Sequence, residues 1–220
     1  LCAAAAHCDD DALPPPRAPV ATVSGGNALH DEAARELAAV KSTTYSHRVR
    51  VDEAAGVFEY DCSGFVDYAI GNTTPDAFRQ LGRRRPAART YVDLLTAIPR
   101  GQSRGRWLHV DQPSALREGD VVAWLAVSSK PDAWGIVNTG HVMIVDGPPR
   151  ERSPGEWVVP IVDSSFGHGG TDPRAKRSAT GLGRGTMVVV VENGSLVGYH
   201  WSESARSPLI RTTVVMGRIL

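Results

Sequence analysis

Cys62 stands in the run EYDCSGFVDYAI, between an acid and a serine and ahead of a glycine and an amphipathic segment. A thiol attacks a carbonyl as the thiolate, and at an unperturbed pKa near 8.5 only about 3% of it is ionised at pH 7. Two arrangements raise that fraction. One is a helix N-terminus, whose free N–H groups and dipole favour negative charge; the other is an imidazole that takes the proton. The run supplies the first. Phe65, Tyr68 and Ala69 fall on one face of a helix that starts at the cysteine, Asp61 or Ser63 can cap it, and Gly71-Asn72 signal its end. Gly64 leaves room for a substrate backbone to approach. A cysteine kept only for packing would suit an apolar setting better than this polar one.

The sequence holds seven histidines. His7 lies in a tail, His30 fits the outer face of a helix, His47 and His109 carry no supporting pattern, and His200 in GYHWS reads as a strand residue. His141 differs. It opens the apolar strand HVMIVDG after a glycine and a long loop, a place rigid enough to aim a ring and open enough to reach a cleft. An imidazole base needs a third group to fix its tautomer. The next strand, VVPIVDSS, ends in Asp163, which comes beside His141 if the two strands pair. Asp163 could instead do no more than begin the turn DSSFGHGG, and His168 in that turn is the rival orienting residue or rival base. His141, Asp163 and His168, with or without Cys62, are also acceptable zinc ligand types. No short paired spacing such as HExxH supports a metal, and neither a metal nor another cofactor is expected.

The elements that must hold these residues follow from periodicity. Residues 28–41 have helical period, with Ala28, Leu29, Ala33, Leu37 and Ala38 inward and Asp31, Glu32, Glu36 and Lys41 outward. TTYSHRVRV and GVFEY read as short strands or a hairpin around DEAAG. Beyond the cysteine helix, Thr74 caps a helix with Pro75 in its first turn, and TYVDLLTAI adds another. Strands are expected at 120–127, 140–146, 156–163, 185–192, 195–201 and 209–218. Helices first and strands after is the α+β order, with a mostly antiparallel sheet. The 128–139 loop is long enough to be functional, and Trp134 in it could line a cleft. The stretch Gly181-Leu182-Gly183-Arg184-Gly185 precedes a strand, so it is a flexible connection rather than a phosphate loop. Asp172 and Arg174 suit a local ion pair or, less readily, the cleft rim, and Arg83-Arg84-Arg85 suit a solvated helix flank more than an anionic-ligand patch.

A chain of 220 residues accommodates one sizeable domain and a tail. Its 24 basic and 24 acidic side chains cancel, which excludes the basic footprint of a nucleic-acid binder. No apolar stretch approaches the ~18 residues of a membrane span. The run MVVVV at 187–191 suits a buried strand. The opening LCAAAAHCDDDALPPPRAP reads as the end of a secretory leader plus a Pro-rich linker. Residues 1–25 are therefore set apart from a single domain at 26–220, expected to be exported to the periplasm or beyond and to be monomeric. Cys2 is where a lipid anchor would attach, although Leu1 is a poor residue to precede it. If Cys2 and Cys8 pair or are trimmed, Cys62 is left as a free thiol.

Four stretches, D-C-S-G-F-V at 61–66, R-E-G-D-V-V-A-W at 117–124, G-H-V-M-I-V at 140–145 and I-V-D-S-S at 161–165, occur in this order. Together they resemble the NlpC-type cell-wall cysteine peptidases, a bacterial branch of the papain-like superfamily, over roughly residues 40–170. The resemblance implies a papain-like α+β fold with the nucleophile helix against an antiparallel sheet. It implies Cys62 as nucleophile, His141 as general base and Asp163 as the orienting third residue. It places Tyr45, or less closely Tyr60, at the oxyanion site, with Ser63 beside the substrate. The implied reaction is cleavage of an amide bond in a peptidoglycan peptide through a thioester. Three features depart from the family: a longer interval from Cys62 to His141, aspartate where histidine is commoner, and SHRVRVDEAAG in place of a Trp-Gly-Gly stretch after the upstream tyrosine. They point to a different substrate pocket on the same chemistry. Acyl transfer, deamidation or amidase action would use the same residues, and a non-catalytic wall-binding module is the remaining alternative.

Overall fold

Leu29, Ala33 and Glu36 recur at helical spacing and bury one face of helix α1 (Gly25–Ala39). The computed structural model describes residues 25–128, 130, 131, 135–169, 172, 174 and 179–220. Its described residues form a mixed α+β unit with four α-helices and a large sheet whose pairings are antiparallel. The expected leader, His7, Cys2, Cys8 and Trp134 lie outside the described residues. None of the described helices is long and apolar enough to cross a membrane.

The buried face of α1 differs from the expected one. Glu32 and Glu36 point inward, whereas Ala38 is exposed. Both acids find partners there: Tyr60 Oη donates to Glu36 Oε2 (2.6 Å), and Asn72 Nδ2 and Arg35 donate to Glu32. A buried carboxylate is tolerable when it is hydrogen-bonded in this way.

A small sheet follows, made of β1 (Ser42–Tyr45), β2 (Arg50–Asp52) and β3 (Val57–Tyr60). β2 and β3 form the expected hairpin, and β1 runs parallel to β3 with Tyr45 opposite Tyr60. Helix α2 (Cys62–Thr73) then starts directly from β3. Every residue from Cys62 to Ile70 is buried, so α2 is the central helix, covered on all sides. It runs two residues past Gly71, because Asn72 is anchored on α1 and Thr74 N–H still reaches Ile70 O at 2.8 Å. Helices α3 (Pro75–Gln80) and α4 (Ala88–Thr96) complete the layer, with Pro75 in the first turn of α3 and no side-chain cap from Thr74.

The main sheet contains β4 (Ser103–Arg104), β5 (Trp107–His109), β6 (Val121–Leu125), β7 (Gly140–Val145) and β8 (Arg150–Ser153). It continues with β9 (Glu156–Ser165), β10 (Gly181–Glu192), β11 (Ser195–His200), β12 (Ile210–Arg211) and β13 (Val214–Ile219). Their spatial order is β12-β11-β10-β9-β7-β6-β13-β5-β4, with β8 paired to β9 off that path. The expected strand at 209–218 is two strands, because Thr212 leaves the ladder and its hydroxyl donates to Leu125 O. The GLGRG stretch is not a loop. It opens β10, with Gly183 opposite Asp163 and Gly185 opposite Ile161.

Alternation along β6 and β7 divides the core in two. Val121, Ala123, Val142 and Ile144 face the helices, and Val122, Trp124, Met143 and Val145 face the opposite side. Helix α2 packs on β7 and β9, which brings its first residue to the end of the sheet where β7 begins and β9 finishes.

Candidate active site

Asp61 makes the local geometry at Cys62. Its backbone is extended, and its Oδ1 accepts from Gly64 N (2.7 Å) and from the Ser63 hydroxyl (3.0 Å), so it is the N-cap of α2. Its Oδ2 holds His47 Nδ1 at 3.0 Å, with Arg85 at 3.9 Å. Burial acts against the Asp61 charge, but the His47 and Gly64 hydrogen bonds outweigh it and hold the carboxyl below its ordinary pKa. Ser63 is thus part of the cap, although it also lines the cleft. Gly64 serves packing rather than substrate: a Cβ there would sit 3.0 Å from both Val49 and Tyr60. His47, which carries no pattern in the sequence, lines the cleft beside the cysteine.

Cys62 is a free thiol, 5% exposed, and belongs to the apolar cluster under the helices. Burial pushes its pKa up, and the Asp61 and Asp163 charges add to that; N–H groups of Val142 and Ser63 at the sulfur pull the other way. The helix tip therefore does not deliver a resting thiolate, contrary to the sequence expectation. Among the described residues no hydrogen bond joins Cys62 to His141; the sulfur lies against the backbone of Val142, the residue after it. Both side chains line one cavity of about 590 Å³.

His141 and Asp163 are brought together as the strand pairing requires, since β7 and β9 are neighbours with Ile144 opposite Val162. His141 Nε2 lies 2.7 Å from Asp163 Oδ2. An ionised carboxylate only accepts, so Nε2 carries the hydrogen and Nδ1 is the basic nitrogen. The ring packs in a triangle with Trp124 and Trp201, each with its centroid 5.2 Å away and the two indoles 5.8 Å apart.

Asp163 is wholly buried, and its partners come from the segment after β9. His168 Nε2 donates to the same Oδ2 at 2.9 Å, and His168 Nδ1 meets Trp201 O at 2.8 Å. Both ring nitrogens of His168 therefore face acceptors, which makes it an imidazolium. Burial opposes that charge, but Asp163 raises the His168 pKa above its ordinary value. The ring also stacks on Trp201 at 4.1 Å, a favourable face for a cation. Arg174 Nη2 donates to Asp163 Oδ1 (2.9 Å) and to Asp172 Oδ2 (2.9 Å), while its Nη1 donates to Asp163 O and Gly181 O. The local Asp172–Arg174 pair read from the sequence is half of this network. Burial acts against the Asp163 charge, yet the two histidines hold its carboxyl well below the usual range.

The glycines of β10 make room for this arrangement. A Cβ on Gly183 would lie 2.5 Å from Arg174 Nε, and one on Gly185 2.9 Å from His168 Cδ2. His141, Asp163 and His168 offer ligand atoms within 4.8 Å of one another, a spacing a divalent cation could use. Arg174 already brings a fixed positive charge onto that carboxylate, however, and two acids face two cations without an ion. Asp163 is thus the group in contact with His141, and His168 contacts Asp163.

The remaining expected residues divide. Tyr45 lines the cavity with its ring 5.0 Å from Phe166. Tyr60 cannot serve an oxyanion, because it is fully buried and its hydroxyl is committed to Glu36. His109 and His200 are accounted for by backbone carbonyls, of Ile98 and Ser207. Trp201 carries no sequence signal of a site, Trp124 enters only as the end of the 117–124 stretch, and Arg174 only together with Asp172; the nearest hint of their joint role is an Asp at a strand end with a His five residues on.

No family model matches the chain, and no solved structure matches it. It is similar to a protein of Acanthamoeba polyphaga mimivirus described as "Uncharacterized protein R653", 25% identical over 183 residues, covering 72% of this chain and 77% of that one.

Proposed function

We propose that the chain is a thiol hydrolase of papain-like arrangement that cleaves an amide bond. The observation that carries this is the shared cavity: a cysteine at a capped helix tip and a histidine with a buried, charged carboxylate on its Nε2 open into the same space. His141 Nδ1 takes the Cys62 proton as the sulfur attacks the substrate carbonyl, so a C–S bond forms and the π pair moves to oxygen. Because the resting thiol is neutral, transfer accompanies attack, and bound substrate must bring sulfur and ring together. Catalytic hydrogen bonds commonly tighten in that way on binding. The oxyanion accepts from the Cys62 N–H and the Tyr45 hydroxyl, each such donor contributing about 3 kcal/mol. Collapse expels the amine, protonated by His141; a water activated by the same ring then releases the acyl group. Asp163 keeps the imidazole in the required tautomer. A peptidoglycan-type peptide is the first substrate to try, on the strength of the sequence resemblance, and an exported location would agree with it.

The test is Cys62→Ala with a peptide-amide substrate. Turnover should fall by roughly 10⁵- to 10⁶-fold, with stability within about 1 kcal/mol of the parent because the truncation is small. An acyl adduct on Cys62 should be trapped by mass spectrometry in the parent protein. Undiminished turnover in the variant ends the proposal.

A further inference from the structure

The cavity holding Cys62 and His141 has an unusual rim. Among the described residues five large apolar side chains are exposed, and four of them, Val127, Ile136, Val137 and Phe166, line this cavity; Leu220 is the fifth. Val127 is 71% exposed and Phe166 61%. Deeper in, Trp124, Tyr199 and Trp201 form part of the wall. Large apolar side chains scattered singly need no explanation, but four gathered at one opening mark a binding surface.

Charge points the same way. No lysine or arginine lines the cavity among the described residues. Its one carboxylate, Asp61, is engaged by His47, Gly64 and Ser63. Two basic side chains, Arg48 and Arg85, border the adjoining hollow beyond Tyr45 and His47, and Arg85 donates to His47 O; Arg174, behind His141, is buried and committed to Asp163 and Asp172. A carboxylate on the substrate would find no counter-charge at the apolar end, whereas an uncharged group would release water from the rim and its own surface.

We infer that this end of the cleft binds a bulky, uncharged apolar group carried next to the scissile carbonyl. The group is either a branched or aromatic side chain of a peptide or the alkyl chain of an N-acyl amine. The inference rests on Cys62 being the nucleophile and narrows the substrate to one with an apolar group beside the bond that is cleaved, a requirement that a peptide rich in carboxylates meets poorly at this end of the cleft. Such peptides would have to direct their carboxylates toward Arg48 and Arg85 instead.

Binding is measured on Cys62→Ala, full chain, by the change in tryptophan fluorescence, since Trp124 and Trp201 line the site. Three probes are titrated: N-acetyl-Leu-Phe-amide, N-acetyl-Glu-Asp-amide and decanoyl ethanolamide. One of the apolar probes should saturate at about ten- to a hundred-fold lower concentration than the acidic peptide, the span expected for burying one large side chain. Which of the two does so identifies the source of the group. Phe166→Asp in the same background should remove most of that advantage; Phe166 is exposed, so circular dichroism should be unchanged. Equal or tighter binding of the acidic peptide, no saturation with any probe, or no effect of Phe166→Asp overturns the inference. Binding is read without the thiol, so a parent protein that binds the apolar probe and turns over no amide sinks the catalytic reading alone.

Discussion

Asp163 and Asp67 are equally hidden from water, at 0% and 1% exposure, and they are held in opposite states. Asp67 lies in the body of α2. Tyr91 Oη donates to its Oδ1 at 2.6 Å, and its Oδ2 has no hydrogen-bond partner among the described residues. Burial dominates and raises its pKa well above the ordinary value, which favours the protonated acid. Asp163 meets the same burial, but two histidines and Arg174 converge on it and keep it ionised. Burial alone neutralises a carboxyl; a buried charge survives only where cations are built around it. One acid belongs to the core of a helix. The other belongs to the candidate site.

The largest effect that would break this contrast is at Asp163. Asp163→Ala leaves Arg174 and the His168 imidazolium buried without their shared partner, and should cost about 3–5 kcal/mol in urea unfolding. Turnover should fall by roughly 10²- to 10⁴-fold, less than for Cys62→Ala, because the nucleophile and oxyanion donors persist. Full activity in this variant would move the orienting role to His168.

His168→Gln comes next. One amide can replace only part of what two ring N–H groups do, so a loss of about 1–3 kcal/mol is expected. Its signature is pH dependence. The folded pKa of His168 is raised, so its contribution is complete below about pH 6.5 and is lost as pH rises through the folded value. Asp163 runs the other way: its depressed pKa gives stability that is complete above about pH 4 and shrinks as pH falls toward the folded value. His168→Gln should flatten the alkaline limb of stability against pH. An unchanged limb would mean His168 is neutral in the parent.

The smallest effect is at Asp67. Its raised folded pKa means its contribution is greatest below about pH 4 and declines as pH rises toward that value. Asp67→Asn removes the titration and keeps an acceptor for Tyr91, so stability at neutral pH should change by less than about 1 kcal/mol. A loss as large as that of Asp163→Ala would show that Asp67 is charged after all.

Much of the scaffold was readable from the residues alone. Period-2 and period-3.6 patterns located α2, α4, β6, β7, β9 and β11, and adjacency of two strands was enough to set Asp163 beside His141. What was not readable involves partners distant in sequence. Glu32 and Glu36 look like solvent-facing positions until Tyr60 and Asn72 are known to lie against them. Residues Gly181–Gly185 look like a loop because glycines weaken a strand, yet here their missing side chains accommodate Arg174 and His168. Strands β4, β5 and β8 have two, three and four residues, too short for any period to show. The state of the sulfur was also out of reach, since composition places Cys62 at a helix tip but not within the buried apolar cluster that includes Tyr60, Phe65 and Val142.

Strand β13 is formed by residues 214–219, yet it is inserted between β6 and β5 in the interior of the sheet. A ribosome must therefore release these six residues before the strands on either side can be joined. Until then the larger part of the sheet ends at a bare β6 edge, with the short β5–β4 pair unattached, and an exposed edge of that kind invites association with other chains.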